Sequence, residues 1–283
     1  MRSRLCAVLS VLAVVLVACS ASGATSPTAP AAPAASPSTA STAPSAATAE
    51  LTIYAASSLK SALDKARTEY EAANPGTRLV ISTDASSALE TKIEQGAPAD
   101  VFLSADTANP QKLVDKALAN GSLTNFAKNK LTVIVPKDNP AKIQTPADLA
   151  KAGVKVIAAG DAVPVTKYAN QLVGNLAKEP GYPPDFVDAY NANIASREDN
   201  VSAIVAKVGM EQGDAGIVYM TDTNAQADVA PVDVPPDANV IATYAGAVVK
   251  SSANPSASNA FLTWLAGPDG QAVLSGFGFL PPT

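Results

Sequence analysis

The stretch IYAASSLKSAL, residues 53–63, changes from a strand pattern to a helix pattern within a few residues. It opens with a short apolar run of the kind found in buried strands. It closes with apolar residues at helical spacing, which predicts an amphipathic helix. The junction carries two adjacent serines, Ser57 and Ser58. At the start of a helix, such small hydroxyl side chains either cap the helix or hold a ligand.

The same alternation of strand and helix patterns continues to the C-terminus. Short apolar runs bounded by polar, glycine or proline residues predict strands buried on both faces. These runs are LTIYAA, TRLVIST, ADVFLSA, LTVIVP, VKVIAA, AGIVYM and YAGAVV. Between most of them lie segments with helical spacing, such as LKSALDKARTEYEAAN and SALETKIEQG. We therefore predict an α/β fold with a mostly parallel sheet flanked by helices.

Three of the predicted strand-to-helix junctions consist of small or hydroxyl-bearing residues. They are AASSL (55–59), TDASSAL (83–89) and GDAVPVTKYA (160–169). In α/β sheets, ligands collect at the carboxyl ends of strands, where helix N-termini offer free N–H groups and a positive dipole end. Each junction taken singly is explained by ordinary helix capping. The three together favour an oxyanion held by hydroxyl and N–H donors without a formal counter-charge.

The N-terminus has the pattern of an export signal and a tether. Residues 1–18 combine two arginines with an apolar run too short for a comfortable membrane span, which predicts a signal peptide. The following LVAC, residues 16–19, resembles the lipobox of bacterial lipoproteins, in which Cys19 is acylated. Residues 19–49 continue as an Ala/Pro/Ser/Thr tract, which predicts a linker. An ordinary secretory signal with an incidental cysteine is the alternative.

Composition excludes several classes of function. The chain has no histidine, so a Ser-His-acid hydrolase is excluded and metal sites lose one of their commonest ligands. Loss of Cys6 with the signal and acylation of Cys19 would leave no free thiol. The net charge of −5 becomes −7 when Arg2 and Arg4 leave with the signal. Such an acidic domain is a poor candidate for binding nucleic acid. No glycine-rich nucleotide fingerprint occurs, and we expect no cofactor.

From Leu51 onward the chain resembles the molybdate-binding periplasmic proteins and lipoproteins that feed ABC transporters. The resemblance rests on IYAASSL, DASSALETKIEQGAPADVFLSAD, NKLTVIVPK, GIVYMTDT and GFGF. Related sulfate- and thiosulfate-binding proteins share parts of these stretches. The resemblance implies a two-lobed clamp of the type II periplasmic-binding-protein class, with lobe 1 at 50–128 and 245–283 and lobe 2 at 129–244. It also implies that LTVIVP and YAGAVV form a pair of hinge crossings between the lobes.

The resemblance further implies which residues contact the ligand. The serine of the first junction corresponds to Ser58, with Ser57 as a neighbour able to substitute. The serine of the second junction corresponds to Ser86, and a tyrosine hydroxyl in GIVY corresponds to Tyr219. For Tyr219, a core tyrosine with a satisfied hydroxyl is the alternative.

Two backbone donors complete the implied set. A backbone N–H after the proline of the third junction corresponds to Val165, and another at a helix start in EDNVSAIVAKV corresponds to Val201. Thr166 stands where the family usually has a glycine, which alters the expected turn and offers a further hydroxyl. Asp84 is discordant, because a carboxylate there would repel a dianion, accept a proton from phosphate, or cap the helix.

The resemblance implies an extracytoplasmic substrate-binding lipoprotein that captures molybdate or tungstate for an ABC permease. Molybdenum would be bound only as the oxyanion, through the ligand contacts named above. The protein would be a monomer held at the membrane by its lipid. It would not be an enzyme. Donor groups alone suit molybdate, tungstate and sulfate, which are fully deprotonated, better than hydrogen phosphate. A sulfate- or thiosulfate-binding protein is the nearest alternative. A secreted enzyme and a scaffold lipoprotein are more distant ones.

Overall fold

The computed structural model describes residues 49–224 and 227–282. The signal peptide predicted for residues 1–18, the lipidation predicted at Cys19 and residues 20–48 of the predicted linker lie outside the described residues. Within the described ranges, no helix combines the length and the hydrophobicity that crossing a bilayer requires.

The described part of the chain alternates strands and helices. Its strands are β1 (Ala49–Ala56), β2 (Thr77–Asp84), β3 (Val101–Ser104), β4 (Ala119–Pro136), β5 (Val156–Ala159), β6 (Ile194–Glu198), β7 (Ala215–Tyr219), β8 (Val229–Val232) and β9 (Ile241–Val249). Its helices are α1 (Lys60–Ala73), α2 (Ser86–Glu94), α3 (Ala108–Asp115), α4 (Pro164–Leu176), α5 (Phe186–Ala192), α6 (Val201–Gly209), α7 (Met220–Thr223), α8 (Pro255–Ala266) and α9 (Pro268–Gly276). Short 3₁₀ helices occur at Ser57–Leu59 and Pro146–Ala150.

The strands follow one another in the order β2-β1-β3-β9-β4-β7-β5-β6, and β8 also pairs with β4. Strand β1 runs parallel to both β2 and β3, and β5 runs parallel to both β6 and β7. Strands β4 and β9 join these two groups through antiparallel pairs. The predicted α/β fold is therefore confirmed. The sheet is parallel in its two outer groups and antiparallel between them.

The long strand β4 takes part in both groups. Its residues 119–130 pair with β9, and its residues 131–136 pair with β7 and β8. We call the part built on β1, β2, β3, β9 and residues 119–130 lobe 1. The part built on residues 131–136 with β5, β6, β7 and β8 is lobe 2. The chain passes from lobe 1 to lobe 2 within β4, where the predicted crossing LTVIVP begins, and β9, which contains YAGAVV, pairs with residues 119–130 of β4. That LTVIVP and YAGAVV act as a pair of hinge crossings stays a prediction.

Helix α1 fixes the position of the first serine junction. Its buried residues are Ala62, Leu63, Ala66 and Tyr70, and their helical spacing gives one apolar face against the sheet. Tyr70 packs edge-on against Phe261, with 5.1 Å between ring centroids, and against Trp264, with 5.2 Å. A side chain as large as leucine stabilises the fold by about 1.5–3 kcal/mol when buried. The C-terminal helix α8 thus holds α1, and with it the turn at its start.

Candidate functional site

A narrow cleft lies between the two lobes, at the carboxyl ends of their parallel strands. From lobe 1 it is lined by Ser57, Ser58, Asp84, Ala85, Ser86 and Ala105. From lobe 2 it is lined by Val163, Pro164, Val165, Val201 and Tyr219. The structure thus brings together Ser57 and all five residues predicted as principal ligand contacts, although they come from five separate segments of the chain.

The serine junctions do not cap their helices. Ala56 precedes the 3₁₀ turn and Ala85 precedes α2, and neither position makes a side-chain capping bond. Ser86 is instead the first residue of α2, and its Oγ accepts a hydrogen bond from the Ala105 N–H at 3.0 Å. Ser58 Oγ lies 2.9 Å from the Tyr244 hydroxyl. The capping explanation therefore fails at both junctions, and the hydroxyl groups are held by other parts of lobe 1.

Two helix N-termini face the cleft from lobe 2. Helix α4 begins at Pro164, which has no N–H, so the first helical N–H belongs to Val165. Helix α6 begins at Val201, after Asn200, whose side chain accepts a hydrogen bond from Ala203 N at 3.1 Å. The N–H groups of a first helical turn lack partners within the helix, and the dipole favours negative charge there. Both predicted backbone donors are thus available at the cleft.

Thr166 does not reach the cleft. Its hydroxyl donates to the Gly160 carbonyl at 2.8 Å, and the residue lines a different cavity. The replacement of the family glycine leaves α4 continuous from Pro164 to Leu176. The suggested additional contact from Thr166 is therefore not supported by the geometry.

Tyr219 ends β7 with its side chain buried in the wall of the cleft. The residue is 1% exposed, and its hydroxyl has no hydrogen-bond partner among the described residues. Its ring packs edge-on against Tyr244 at 5.5 Å and Tyr168 at 6.4 Å. Burial, followed by the nearby Tyr244, raises the pKa of Tyr219 well above its ordinary value, so the phenol stays protonated. An unsatisfied buried donor costs about 1–3 kcal/mol, which makes this hydroxyl a candidate ligand contact.

Asp84 is the one carboxylate that lines the cleft among the described residues. Its Oδ1 accepts from the Ala85 N–H at 2.8 Å and from Asn200 Nδ2 at 3.3 Å, and its Oδ2 accepts from Lys92 Nζ at 3.0 Å. Burial opposes ionisation, but the hydrogen bonds and the charge of Lys92 outweigh it and lower the pKa of Asp84. The carboxylate is therefore ionised, paired and already occupied as an acceptor.

The two lobes touch across the cleft. The Asn200 side chain reaches Asp84, and the Ser202 hydroxyl donates to the Ser57 carbonyl at 3.5 Å. Both contacts join lobe 2 to residues of lobe 1 that line the cleft. The two lobes are therefore in direct contact beside the cleft. Sequence reasoning missed Asn200 and Tyr244, because their partners lie more than a hundred residues away.

A second cavity of about 70 Å³ adjoins the cleft and shares Ser57 and Ser58 with it. Its wall also contains Asp222, together with Phe277 and Phe279 of the GFGF stretch. Asp222 is 8% exposed, and its Oδ2 accepts from the Tyr219 N–H at 3.0 Å. Burial raises the pKa of Asp222 to about 7, although the Tyr219 hydrogen bond acts in the opposite direction.

A two-lobed α/β clamp with a donor-lined cleft between its lobes defines a solute-binding protein. The chain belongs to the bacterial extracellular solute-binding protein family, whose family model matches residues 51–280. It is 32% identical over 233 residues to the molybdate-binding protein ModA of Mycobacterium tuberculosis H37Rv, covering 82% of this chain and 85% of that protein.

Solved structures share the same fold. The periplasmic molybdate-binding protein of Azotobacter vinelandii superposes with a TM-score of 0.69 at 22% identity, covering 82% of this chain and 100% of the other. The sulfate-binding protein SubI of Mycobacterium tuberculosis H37Rv superposes with a TM-score of 0.73 at 21% identity, covering 82% and 87%. At these identities the likeness extends to the fold alone.

Proposed function

We propose that this protein captures molybdate, and tungstate with it, outside the cytoplasm and delivers the anion to an ABC permease. The observation that carries the proposal is the Tyr219 hydroxyl, which is buried at the cleft without a partner among the described residues. Ser58 and Ser86 supply further hydroxyls, and Val165 and Val201 supply backbone N–H groups. The 32% identity to a molybdate-binding protein supports molybdenum as the central atom of the oxyanion.

The charge of the cleft suits a dianion held by dipoles. Among the described residues no lysine or arginine lines the cleft, and Lys92 approaches only to pair with Asp84. Each helix N-terminus carries roughly half a positive charge, felt mainly within its first turn. In a closed cleft that excludes water, these dipoles and the hydroxyl donors act more strongly than in solution. An acidic protein can therefore hold a dianion through oriented donors.

We infer a mechanism of capture without chemistry. An open clamp admits the anion, and donors from lobe 1 and lobe 2 replace its hydration shell as the lobes close. The contact of Asn200 with Asp84 then joins the lobes, and the closed form docks on the permease. A monomer is sufficient for this cycle, because every proposed ligand contact comes from one chain.

A calorimetric titration with molybdate, tungstate, sulfate, thiosulfate and phosphate tests the proposal. We expect molybdate and tungstate to bind at least about tenfold more tightly than sulfate, a difference of about 1.4 kcal/mol. Mo–O and W–O bonds are longer than S–O bonds, so molybdate and tungstate are larger anions than sulfate, and the 32% identity to a molybdate-binding protein favours the larger anions.

The neighbouring serines provide a matched control for this titration. Ser86→Ala removes a cleft hydroxyl and should weaken molybdate binding about tenfold or more. Ser87→Ala changes the next residue, which does not line the cleft, and should bind as the wild type does. Preferential binding of sulfate would support the sulfate-binding alternative, and no binding of any oxyanion would refute the proposal.

We also propose that the mature protein is anchored as a lipoprotein through Cys19. The LVAC stretch and the uncharged linker after it support an acylated N-terminus. The linker is too polar and irregular to hold a bilayer by itself. Cys19→Ala should therefore release the protein from the membrane fraction or stall its processing, as measured by fractionation and mass spectrometry. Cys6→Ala is the control, because Cys6 would leave with the signal. A Cys19→Ala protein with wild-type mass and membrane association would contradict the anchor.

A further inference from the structure

The Ser58 hydroxyl belongs to a buried chain of hydrogen bonds that leads away from the cleft. Ser58 Oγ lies 2.9 Å from the hydroxyl of Tyr244, a residue of β9 with 0% exposure. Asn129 Nδ2 lies 3.5 Å from the same hydroxyl and 2.8 Å from Thr221 Oγ1. Asn129 Oδ1 accepts from the Lys130 N–H at 2.9 Å, which orients the amide. The NH₂ group of Asn129 therefore faces Tyr244.

This arrangement determines the direction of donation. An amide NH₂ can only donate, so the Tyr244 oxygen is the acceptor toward Asn129. Tyr244 has a single proton, and Ser58 Oγ is the partner left for it among the described residues. A phenol is also a stronger acid than an alcohol, which favours the same direction. Ser58 thus accepts from Tyr244, and its own proton is free for the cleft. Burial raises the pKa of Tyr244 well above its ordinary value, so the phenol keeps its proton.

We propose that Tyr244 is a positioning residue that fixes the Ser58 hydroxyl as a hydrogen-bond donor toward the cleft, and that the site thereby selects fully deprotonated oxyanions. This inference rests on the proposed function. The Ser86 hydroxyl is oriented in the same way, because its Oγ accepts a hydrogen bond from the Ala105 N–H and its own proton is left to donate. Tyr219 has a free phenol proton, and the oxygens of Asp84 are occupied by three donors. An anion that carries its own proton therefore meets three hydroxyl groups that each have a proton to donate, while one lone pair of each serine oxygen is already taken by a protein donor.

Hydrogen phosphate is the anion against which this selection acts. It carries one O–H at neutral pH, and an unsatisfied donor in a closed cleft costs about 1–3 kcal/mol. Molybdate has no proton and accepts at every oxygen. Without Tyr244, the Ser58 hydroxyl can rotate and accept from hydrogen phosphate. The site then discriminates less between hydrogen phosphate and molybdate.

Tyr244→Phe tests the inference by calorimetry with molybdate and by displacement of molybdate with phosphate. We expect molybdate affinity to fall about 3- to 10-fold, the value of one hydrogen bond, and the ratio of phosphate to molybdate dissociation constants to narrow. In a Ser58→Ala background, Tyr244→Phe should alter molybdate affinity less than about twofold, because the hydroxyl that Tyr244 orients is absent. Tyr190→Phe removes the hydroxyl of a buried tyrosine that does not line the cleft and is the matched control.

A second variant keeps the test decisive if Tyr244→Phe folds poorly. Asn129→Leu is close in volume at this buried position and removes the amide donor toward Tyr244, which leaves the Tyr244 oxygen free to accept from Ser58 and turns the Ser58 proton away from the cleft. It should weaken molybdate binding in the same way. Additive effects of Tyr244→Phe and Ser58→Ala, or an unchanged phosphate ratio, would overturn the inference. The inference would also be overturned if phosphate displaced molybdate too weakly to be measured from both the wild type and Tyr244→Phe. Failure of the wild type to bind molybdate would refute the proposed function instead.

Discussion

Tyr219→Phe is expected to weaken molybdate binding by about 10- to 150-fold without lowering the free energy of unfolding of the ligand-free protein. The hydroxyl has no partner among the described residues, so its removal breaks no protein hydrogen bond. A hydrogen bond to a charged ligand is worth about 1.5–3 kcal/mol, which gives the expected loss of affinity. The ring contacts with Tyr168 and Tyr244 remain, so the packing of the variant is preserved.

Two measurements separate a ligand contact from an ordinary core tyrosine. Calorimetry gives the affinity for molybdate, and urea unfolding without oxyanion gives the stability. Tyr190→Phe, at a buried tyrosine outside the cleft, should leave affinity unchanged. If Tyr219→Phe bound molybdate like the wild type while its stability fell, the hydroxyl would have a structural role and the assignment of Tyr219 would be wrong.

Local sequence patterns predicted the elements of the fold well. The change from strand to helix within residues 53–63 appears as β1, the 3₁₀ turn and α1, because buried apolar runs and helical spacing are local properties. The elements that sequence reasoning missed have weak local signals. Strand β6 is IASRE, half-exposed and polar, and β8 is VAPV, which contains a proline. The polar half of β4, residues 119–130, is a strand because β9 pairs with it.

The residues of the candidate site could be predicted from the sequence, but the hydrogen bonds that these residues make could not. Ser58, Ser86, Val165, Val201 and Tyr219 follow from the resemblance, and all five line the cleft. Their chemical states depend on partners that are distant in sequence. The polarity of the Ser58 hydroxyl, for example, depends on contacts 115 and 186 residues apart in the chain. Such contacts have no local signature, so only the folded chain reveals them.

Asp84 illustrates the same limit in electrostatic terms. Its position beside Ser86 indicates a helix cap, a repulsive charge or an acceptor, and the sequence offers no way to choose among them. In the folded chain the Ala85 N–H, Lys92 and Asn200 occupy its oxygens. The residue therefore joins the lobes while its charge is balanced by Lys92. Its lowered pKa keeps it from taking a proton from a bound anion.

Asp222→Asn is expected to stabilise the protein at neutral and higher pH, by up to about 4 kcal/mol. Burial raises the pKa of Asp222 from its usual value near 3.8 to about 7, so ionisation is unfavourable in the folded state and unhindered in the unfolded state. The folded protein then holds the proton more tightly, and its stability falls as the pH rises from about 4 to about 7. A separation of about three pH units corresponds to about 4 kcal/mol as an upper limit. Asparagine keeps the acceptor for the Tyr219 N–H and removes the charge.

Urea unfolding of wild type and Asp222→Asn without oxyanion, from pH 5 to pH 8, measures this effect. The stability of the wild type relative to the variant should decrease through this range and level off above about pH 7, where both states of the wild type are ionised. Asp237→Asn is the control, because Asp237 is exposed and its charge stays in water. Its profile should run parallel to that of the wild type. Parallel profiles for Asp222→Asn as well would mean that Asp222 ionises freely in the folded protein, and that the wall of the second cavity is open to water.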